Sequence, residues 1–448
     1  MTSHFPAVAL SAPRILLPRA GIDLDKWAVI ACDQHTSHPE YWEEVAGQVQ
    51  GSPSALHLVF PEVYLGEEDR QGRIKRINQT MRAYLRQGVM EEKEPGFVLV
   101  DRQTPHAASR KGLVVALDLE HYDFQAGSQS LIRATEGTAL ERLPPRIEVR
   151  RDAPLEIPHI MVLIDDPDHT VIEPLLAEAP ELLYDVQLML GGGRVKGYHI
   201  TGADRLAQVA SALGRLADPE RFAQRYGMEA APLLYAMGDG NHSFATAREV
   251  WRDIKAQAPD SAAVLDHPAR HALVELVNLH DDGLDFEPIH RVLFDLEADA
   301  LLTHMQAFYQ QQGAELTVRY IDDAALWQQT RDEQDGATCQ YLPFIAAGRR
   351  GLVTVRRPFH PLGVAALQIF LEEYGRCQPQ TVVDYIHGDE AVDKLGGQSG
   401  NLGFYTQAID KHALFRTILA GGALPRKTFS MGEAEEKRYY LEARRIQG

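Results

Sequence analysis

Cysteine is scarce: Cys32, Cys339 and Cys377 are the only three in 448 residues. Their number is odd and their spacing wide, with no metal-binding rhythm, which speaks against a disulfide framework or a cysteine-based zinc site and for a reducing compartment. Positive charge is in deficit as well. The 45 Lys and Arg against 63 Asp and Glu leave a formal net charge of −18, so polyanions are repelled overall and nonspecific binding to nucleic acid or an anionic membrane is not expected, although local basic pockets are. No apolar run reaches the length of a membrane span, and the first residues lack the basic start and apolar block of a secretory signal. There is no internal repeat and no low-complexity tract. These absences point to a cytoplasmic globular protein that partners neither nucleic acid nor membrane, which leaves a small-molecule substrate to be argued from its motifs.

What is present is ordinary for such a chain: 45% hydrophobic and 24% charged residues, over a length that fits about three domains or two larger ones. Short apolar runs bounded by turn residues alternate with stretches of helical periodicity. Residues 97–101, 112–118, 158–164, 186–190 and 194–200 read as strands, the last two joined through Gly191, Gly192 and Gly193 as a hairpin. Residues 72–88 carry Ile74, Ile77, Met81, Tyr84 and Leu85 at helical spacing, and the arginines between them suit a solvated face. Residues 205–216, 293–312 and 362–374 read as further helices. Residues 27–32 read as a buried strand, followed by a polar turn and a helix over 40–49. The class is α/β (α+β) with mixed sheets.

The chemistry concentrates in residues 233–251. An apolar strand over 233–237 runs into Gly238-Asp239-Gly240-Asn241-His242-Ser243, after which Phe244, Ala247, Trp251 and Ile254 recur at helical spacing. Both glycines can take positive φ and admit a ligand to the main chain, and the first-turn N–H groups of a helix opening near Ser243 present partial positive charge to an anion. Such a turn suits phosphate. Asp239 suits a cation or a substrate hydroxyl, and His242 a phosphoryl oxygen or a proton in transit. A plain strand-to-helix turn capped by Asn241 or Ser243 uses the same residues, and both alternatives stay open.

Other clusters stand apart in sequence. Residues 131–138 group Arg133, Thr135, Glu136 and Thr138 near Arg142. A carboxylate there can take a proton from a hydroxyl while the arginines neutralise phosphate, or the charges can simply fix a loop. His280, Asp281, Asp282, Asp285 and Glu287 gather before Pro288-Ile289-His290-Arg291, where substrate contact by His290 and charge neutralisation by Arg291 stand beside a capped loop with a solvent ion pair. Asp165 and Asp166, followed by Pro167, read as a turn. His35 and His38 are three apart with no third metal ligand near them in sequence, and read as surface or capping residues.

Gly238-Asp239-Gly240-Asn241-His242-Ser243-Phe244-Ala245 resembles the Asp-Gly-His-His-Arg signature of the ParB/sulfiredoxin-like fold, as found in archaeal free serine kinases. Together with segments 132–138, 288–292 and 425–431, it makes the chain similar to the domain-of-unknown-function family numbered 1015. The resemblance implies a ParB/sulfiredoxin-like ligand-binding domain over 1–290 and a C-terminal α/β domain over 291–448, whose segment with Lys427, Thr428 and Ser430 returns to the cleft. It implies a nucleotide-dependent phosphotransferase acting on a small hydroxylated metabolite such as free serine, with ATP or ADP and Mg2+. In that scheme His242, Asp239 and Glu136 are catalytic. Gly238, Gly240, Asn241, Ser243, Arg133, Thr138, His290 and Arg291 bind the cofactor, and Asp33 and His35 face the ligand at the cleft entry. Asn241 and Ser243 replace the signature's first histidine and its arginine, so the implied phosphate clamp draws its positive charge from elsewhere, from Arg133 or Arg291. Without chemistry the same turn would serve as a nucleotide or phosphometabolite sensor, and a third alternative is a metal-dependent hydrolase using His35, His38, Asp239 and His242.

Overall fold

The structure is a computed structural model that describes residues 4–36, 38–125, 127–331 and 333–447. The chain forms two compact units, one of residues 1–285, 415–423 and 434–448, the other of residues 286–414 and 424–433. A single cut after residue 290 does not capture this, because the tail is bound into the first unit: Arg444–Arg445 pairs with Leu155–Glu156.

The first unit is built on an eleven-stranded mixed sheet. Its strands are β1 (His4–Phe5), β2 (Leu10–Ser11), β3 (Phe97–Gln103), β4 (Arg110–Asp118), β5 (Tyr122–Asp123), β6 (Ile132–Arg133), β7 (Met161–Ile164), β8 (Glu181–Leu188), β9 (Gly193–Ile200), β10 (Tyr235–Asp239) and β11 (His271–Asn278). Their order is β8-β9-β3-β4-β11-β7-β10-β6-β5, with β1 paired to β2 and β2 to β4. The pairs β7–β11, β10–β6 and β6–β5 are parallel and the others antiparallel.

Both faces of this sheet are covered, which is why its central strands read as continuous apolar runs. Alternation along each strand sends Phe97 and Leu99 to one face and Val98 and Val100 to the other. On the first face they meet Leu206, Val209 and Leu213 and then Phe244, Ala247 and Trp251. On the second they meet Trp42, Val45, Ile74, Ile77 and Met81 and the tail residues Tyr440, Leu441 and Ala443. The helices carrying these side chains are α1 (Pro39–Gln48), α2 (Arg70–Arg86), α4 (Ala203–Leu216) and α5 (Asn241–Gln257), and α3 (Leu143–Arg151) packs against α5.

The second unit holds a six-stranded antiparallel sheet of β12 (His290–Phe294), β13 (Glu315–Tyr320), β14 (Cys339–Ala346), β15 (Arg349–Arg356), β16 (Val382–Ile386) and β17 (Leu402–Phe404), in the order β13-β15-β14-β17-β12-β16. Leu301 and Met305 of α6 (Ala298–Gln311) and Leu367 and Phe370 of α7 (Gly363–Cys377) pack on one face, and Val392 of α8 (Asp389–Gly396) on the other.

Three local expectations are corrected. Residues 27–32 are not a strand: Leu24–Trp27 is a helical turn and Ile30 makes one isolated bridge to Tyr439, so the run is apolar because it is buried. The helix expected over 293–312 begins only at Ala298, because His290–Phe294 has a strand neighbour on each side. Of residues 385–389 and 396–400, which read as loop-like, Tyr385 and Ile386 end β16 and Asp389 and Gly396 bound α8, while 387–388 and 397–400 are loop as expected.

The tail is held by charge in a place where charge is costly. Arg438 is buried, its Nε donating to the Pro158 carbonyl at 3.0 Å while its guanidinium meets the carboxylates of Glu275 and Glu442. Arg444 Nε reaches Glu156 at 2.8 Å, and Arg110 donates to the Glu436 carbonyl at 3.0 Å. Charges at this depth are tolerated only when each has its counterpart. Arg438→Ala is therefore expected to destabilise the fold by ~3–5 kcal/mol in urea unfolding, and a loss well under 1 kcal/mol would show that this tether is not structural.

Candidate functional site

The site grows out of the junction between β10 and α5. Register pairs Met161 of β7 with Asp239, which places Ile160 directly against the next residue. Glycine suits this position: Gly240 has φ 78° and ψ 26°, where a side chain is strained, and a Cβ would crowd Cα and Cγ1 of Ile160 at 3.1 Å. Gly238 stays in the strand and has no positive φ, so one glycine bears the turn where two were expected. The helix opens at Asn241, two residues before Ser243, and no side chain caps it. Neither Asn241 nor Ser243 plays the capping role, which separates this junction from an ordinary capped turn. The Asn241 Oδ1 atom is buried with no hydrogen-bond partner among the described residues, and Ser243 Oγ lies 3.1 Å from His159 Nε2.

The 132–139 segment is laid alongside by β6, whose Ile132 pairs with Tyr235. Thr135 Oγ1 donates to the Met237 carbonyl at 2.6 Å, and the Ala139 N–H approaches His242 Nε2 at 3.4 Å, so that ring nitrogen acts as an acceptor. Two clusters separated by about a hundred residues thus meet, and half-buried Glu136 and Thr138 lie in the same loop.

The site's positive charge comes from residues that the motifs did not indicate. Lys437, a buried tail residue, places Nζ 3.2 Å from Asp239 Oδ2, while Asp239 Oδ1 accepts from the Gly240 N–H at 2.8 Å. Burial alone would raise the Asp239 carboxyl. The Lys437 ammonium, His159 and the Gly240 amide outweigh it and hold the carboxyl below its ordinary range. His159 is the second cation. Burial opposes its charge, but Asp33, with Oδ2 3.6 Å from Nε2, together with Cys32 and Asp239 push it up to about 10. As an imidazolium it donates from Nδ1 to Tyr440 Oη at 2.7 Å and from Nε2 to Ser243 Oγ. Tyr440 Oη also accepts from the Cys32 N–H at 3.0 Å, which ties the tail to the Asp33 turn. At the edge, Arg146 of α3 pairs with Glu62 at 2.5 Å, and burial with the nearby Asp33 charge leaves the Glu62 carboxyl raised.

Asp33 therefore reaches the site, whereas the ring of His35 stacks on Tyr41 with centroids 3.7 Å apart and His38 Nδ1 meets Glu40 at 2.9 Å. His35, His38, Asp239 and His242 do not form a metal-ligand cluster among the described residues. Arg133 is buried and spends its guanidinium on the carbonyls of Ser130 and Ala231, at 2.8 and 2.7 Å, rather than on a ligand. His290 and Arg291 belong to the second unit. Nδ1 of His290 accepts from the Thr406 N–H at 3.1 Å and Nε2 lies 3.0 Å from Asp389, while Arg291 is buried and donates to the Ile289 and Lys427 carbonyls. Lys427, Thr428 and Ser430 also lie in that unit, while residues 437–440 lie in the first unit and reach the junction. The basic and aromatic run Lys437-Arg438-Tyr439-Tyr440 was the one available sequence signal for it.

Fold and site together define a mixed α/β protein with a strand–turn–helix junction that carries two buried cations, each beside a carboxylate. The chain belongs to the DUF1015 family, described as proteins of unknown function, whose model matches residues 16–369. No curated protein matches it. Among solved structures it is similar to a conserved hypothetical protein from Pyrococcus furiosus, at 10% identity and a TM-score of 0.37, covering 75% of this chain and 95% of that one. It is also similar to a mutant free serine kinase in complex with AMP, at 10% identity and a TM-score of 0.39, covering 78% and 95%. A third is C-terminally truncated SbnI from Staphylococcus aureus, at 8% identity and a TM-score of 0.35, covering 71% and 82%.

The tight approach at Gly240 makes a simple test of the junction. Gly240→Ala is expected to cost roughly 1 kcal/mol or more, read as a lowered urea midpoint. An unchanged midpoint would mean that the turn does not need its left-handed residue.

Proposed function

We propose that the β10–α5 junction binds the phosphate of a nucleotide, and that the protein is a nucleotide-dependent phosphotransferase acting on a small hydroxylated metabolite, with free serine the leading candidate through the family resemblance. The observation that carries this reading is the placing of two buried cations, Lys437 and His159, at an uncapped helix N-terminus in a chain of net charge −18. Amides of a first helical turn and a nearby ammonium are what a phosphate group needs, and fixed charges in a partly buried site cost little to reorganise.

In this scheme α5 and Lys437 hold phosphate oxygens, His159 orients the Ser243 hydroxyl, and Glu136 takes the proton from the substrate hydroxyl. His242, whose Nε2 faces the Ala139 amide, positions the 132–139 loop against the phosphate. Asp239 is already engaged by Lys437 and suits that lysine's alignment better than a magnesium ligand, so Mg2+ would enter on the nucleotide phosphates. Arg133, spent on the carbonyls of Ser130 and Ala231, has no part in the clamp.

Full-length protein incubated with ATP or ADP, Mg2+ and a panel of hydroxyl metabolites is expected to yield a phosphorylated product detectable by mass spectrometry. Binding without turnover, seen as nucleotide-dependent thermal stabilisation, would favour a sensor, in keeping with Asn241 and Ser243 in place of the signature's histidine and arginine. Neither effect would end both readings. Lys437→Met is expected to weaken nucleotide binding by about tenfold or more, the size of a lost charge-assisted hydrogen bond, and an unchanged affinity would remove the lysine from the site.

The pH dependence has a defined sign. A histidine raised from 6.5 to about 10 is charged throughout the neutral range and loses its charge only as pH rises through about 10. Nucleotide affinity is therefore expected to stay flat between about pH 6 and 8 and to fall in alkali. A midpoint near the ordinary histidine value, absent in His159→Gln, would show that His159 is not held charged.

A further inference from the structure

Away from the junction, three strands of the first unit bring two imidazoles and a carboxylate together. His271 opens β11 directly opposite Asp118, the last residue of β4. Ala116, two residues earlier in β4, pairs with Ser11, which pairs in turn with His4 of β1. Directly paired residues project from the same face of a sheet, as do residues two apart in one strand. His4, Asp118 and His271 therefore share a face, and one potential ligand atom from each lies within 4.8 Å of the others.

The polar accounting at this spot is incomplete without a further group. His4 Nδ1 and His271 Nε2 are both buried and have no hydrogen-bond partner among the described residues. Buried polar nitrogens are seldom left so, and two beside one carboxylate are rarer still. The rings meet edge to face with centroids 5.3 Å apart, so they do not satisfy each other. From these observations we infer that His4, Asp118 and His271 form a binding site for a divalent cation of the zinc class, independent of the phosphate site. Two imidazoles and a carboxylate are a ligand set that zinc accepts at about 2.0–2.2 Å, with the remaining position open to water.

Two guanidinium groups bear on this site. Arg270 contacts Asp118 through Nε at 3.1 Å and Nη2 at 2.6 Å, and Arg444 donates to the His271 carbonyl at 2.5 Å. Arg270 orients the carboxylate in the manner of an outer partner of a metal ligand, and of the about four lone-pair sites a carboxylate offers, Arg270 and the Glu120 N–H, 3.0 Å from Oδ1, take three, so Asp118 retains capacity for an ion. The two guanidinium charges oppose a cation, which favours ions that gain strongly from imidazole over calcium or magnesium.

Full-length protein stripped with chelator and titrated with Co2+ as a spectroscopic probe is expected to bind one equivalent with visible d–d absorption, displaced by Zn2+. His4→Ala and His271→Ala should each weaken binding by at least about tenfold, and the double variant should show no Co2+ band. Zn2+ should raise the Tm of the unsubstituted protein and leave that of His4→Ala unmoved. Thermal melts without metal establish that the variants fold, and should His271→Ala fail to fold, His4→Ala alone decides. No uptake by the unsubstituted protein, or undiminished uptake in the variants, overturns the site. Nucleotide binding is measured in parallel, and its loss or persistence leaves the outcome unaffected.

Discussion

A buried arginine needs a carboxylate, and the architecture of the first unit follows from how that need is met. The second face of its sheet contains Glu275, placed in the middle of β11 among apolar neighbours. Leaving this carboxylate unpaired would be costly, so the tail must cross the face and deliver Arg438, which Glu442 also holds. Once Arg438 is seated, its neighbours have little freedom. Lys437 falls on Asp239 and Tyr440 on His159, so one of the junction's two cations, and the hydroxyl that holds the other, are carried by a segment whose position is set for structural reasons.

That dependence bears on how an acidic protein can recognise an anion. Net charge sets the long-range field, but binding is decided within a few ångströms, where the helix N-terminus, an ammonium and an imidazolium outweigh distant carboxylates screened by solvent. The cations are in turn balanced by Asp239 and Asp33, so without ligand the junction is close to neutral. Such balanced burial avoids an isolated charge while keeping oriented dipoles in place. In the proposed reading, a lysine almost two hundred residues later in the chain stands in for the arginine missing from the motif.

How much was legible beforehand depends on the range of the interaction responsible. Ile74, Ile77 and Met81 announced α2 because helical periodicity is local, and the glycine hairpin over 191–193 was equally plain. Residues 27–32 misled, since burial makes a run apolar whether or not it joins a sheet. His290–Phe294 became a strand because of its partners in β16 and β17, not through its own propensity. At the site, the Gly240 turn and the neighbouring Thr-Glu loop could be named from their residues, but Arg133 looked like a phosphate ligand only while its carbonyl partners were unknown. A guanidinium's role is set by what it donates to, and sequence does not record that.

By itself the sequence determined the mixed α/β class, the apolar strands of a sheet covered on both faces, and a glycine-bearing turn at the mouth of a helix, because periodicity and turn chemistry act over a few residues. Tertiary structure alone decided which charges stand beside that turn. Lys437, His159 and Asp33 are brought together by strand register and by the tail's ion pairs, contacts between residues far apart in the chain, whose meeting depends on the fold as a whole.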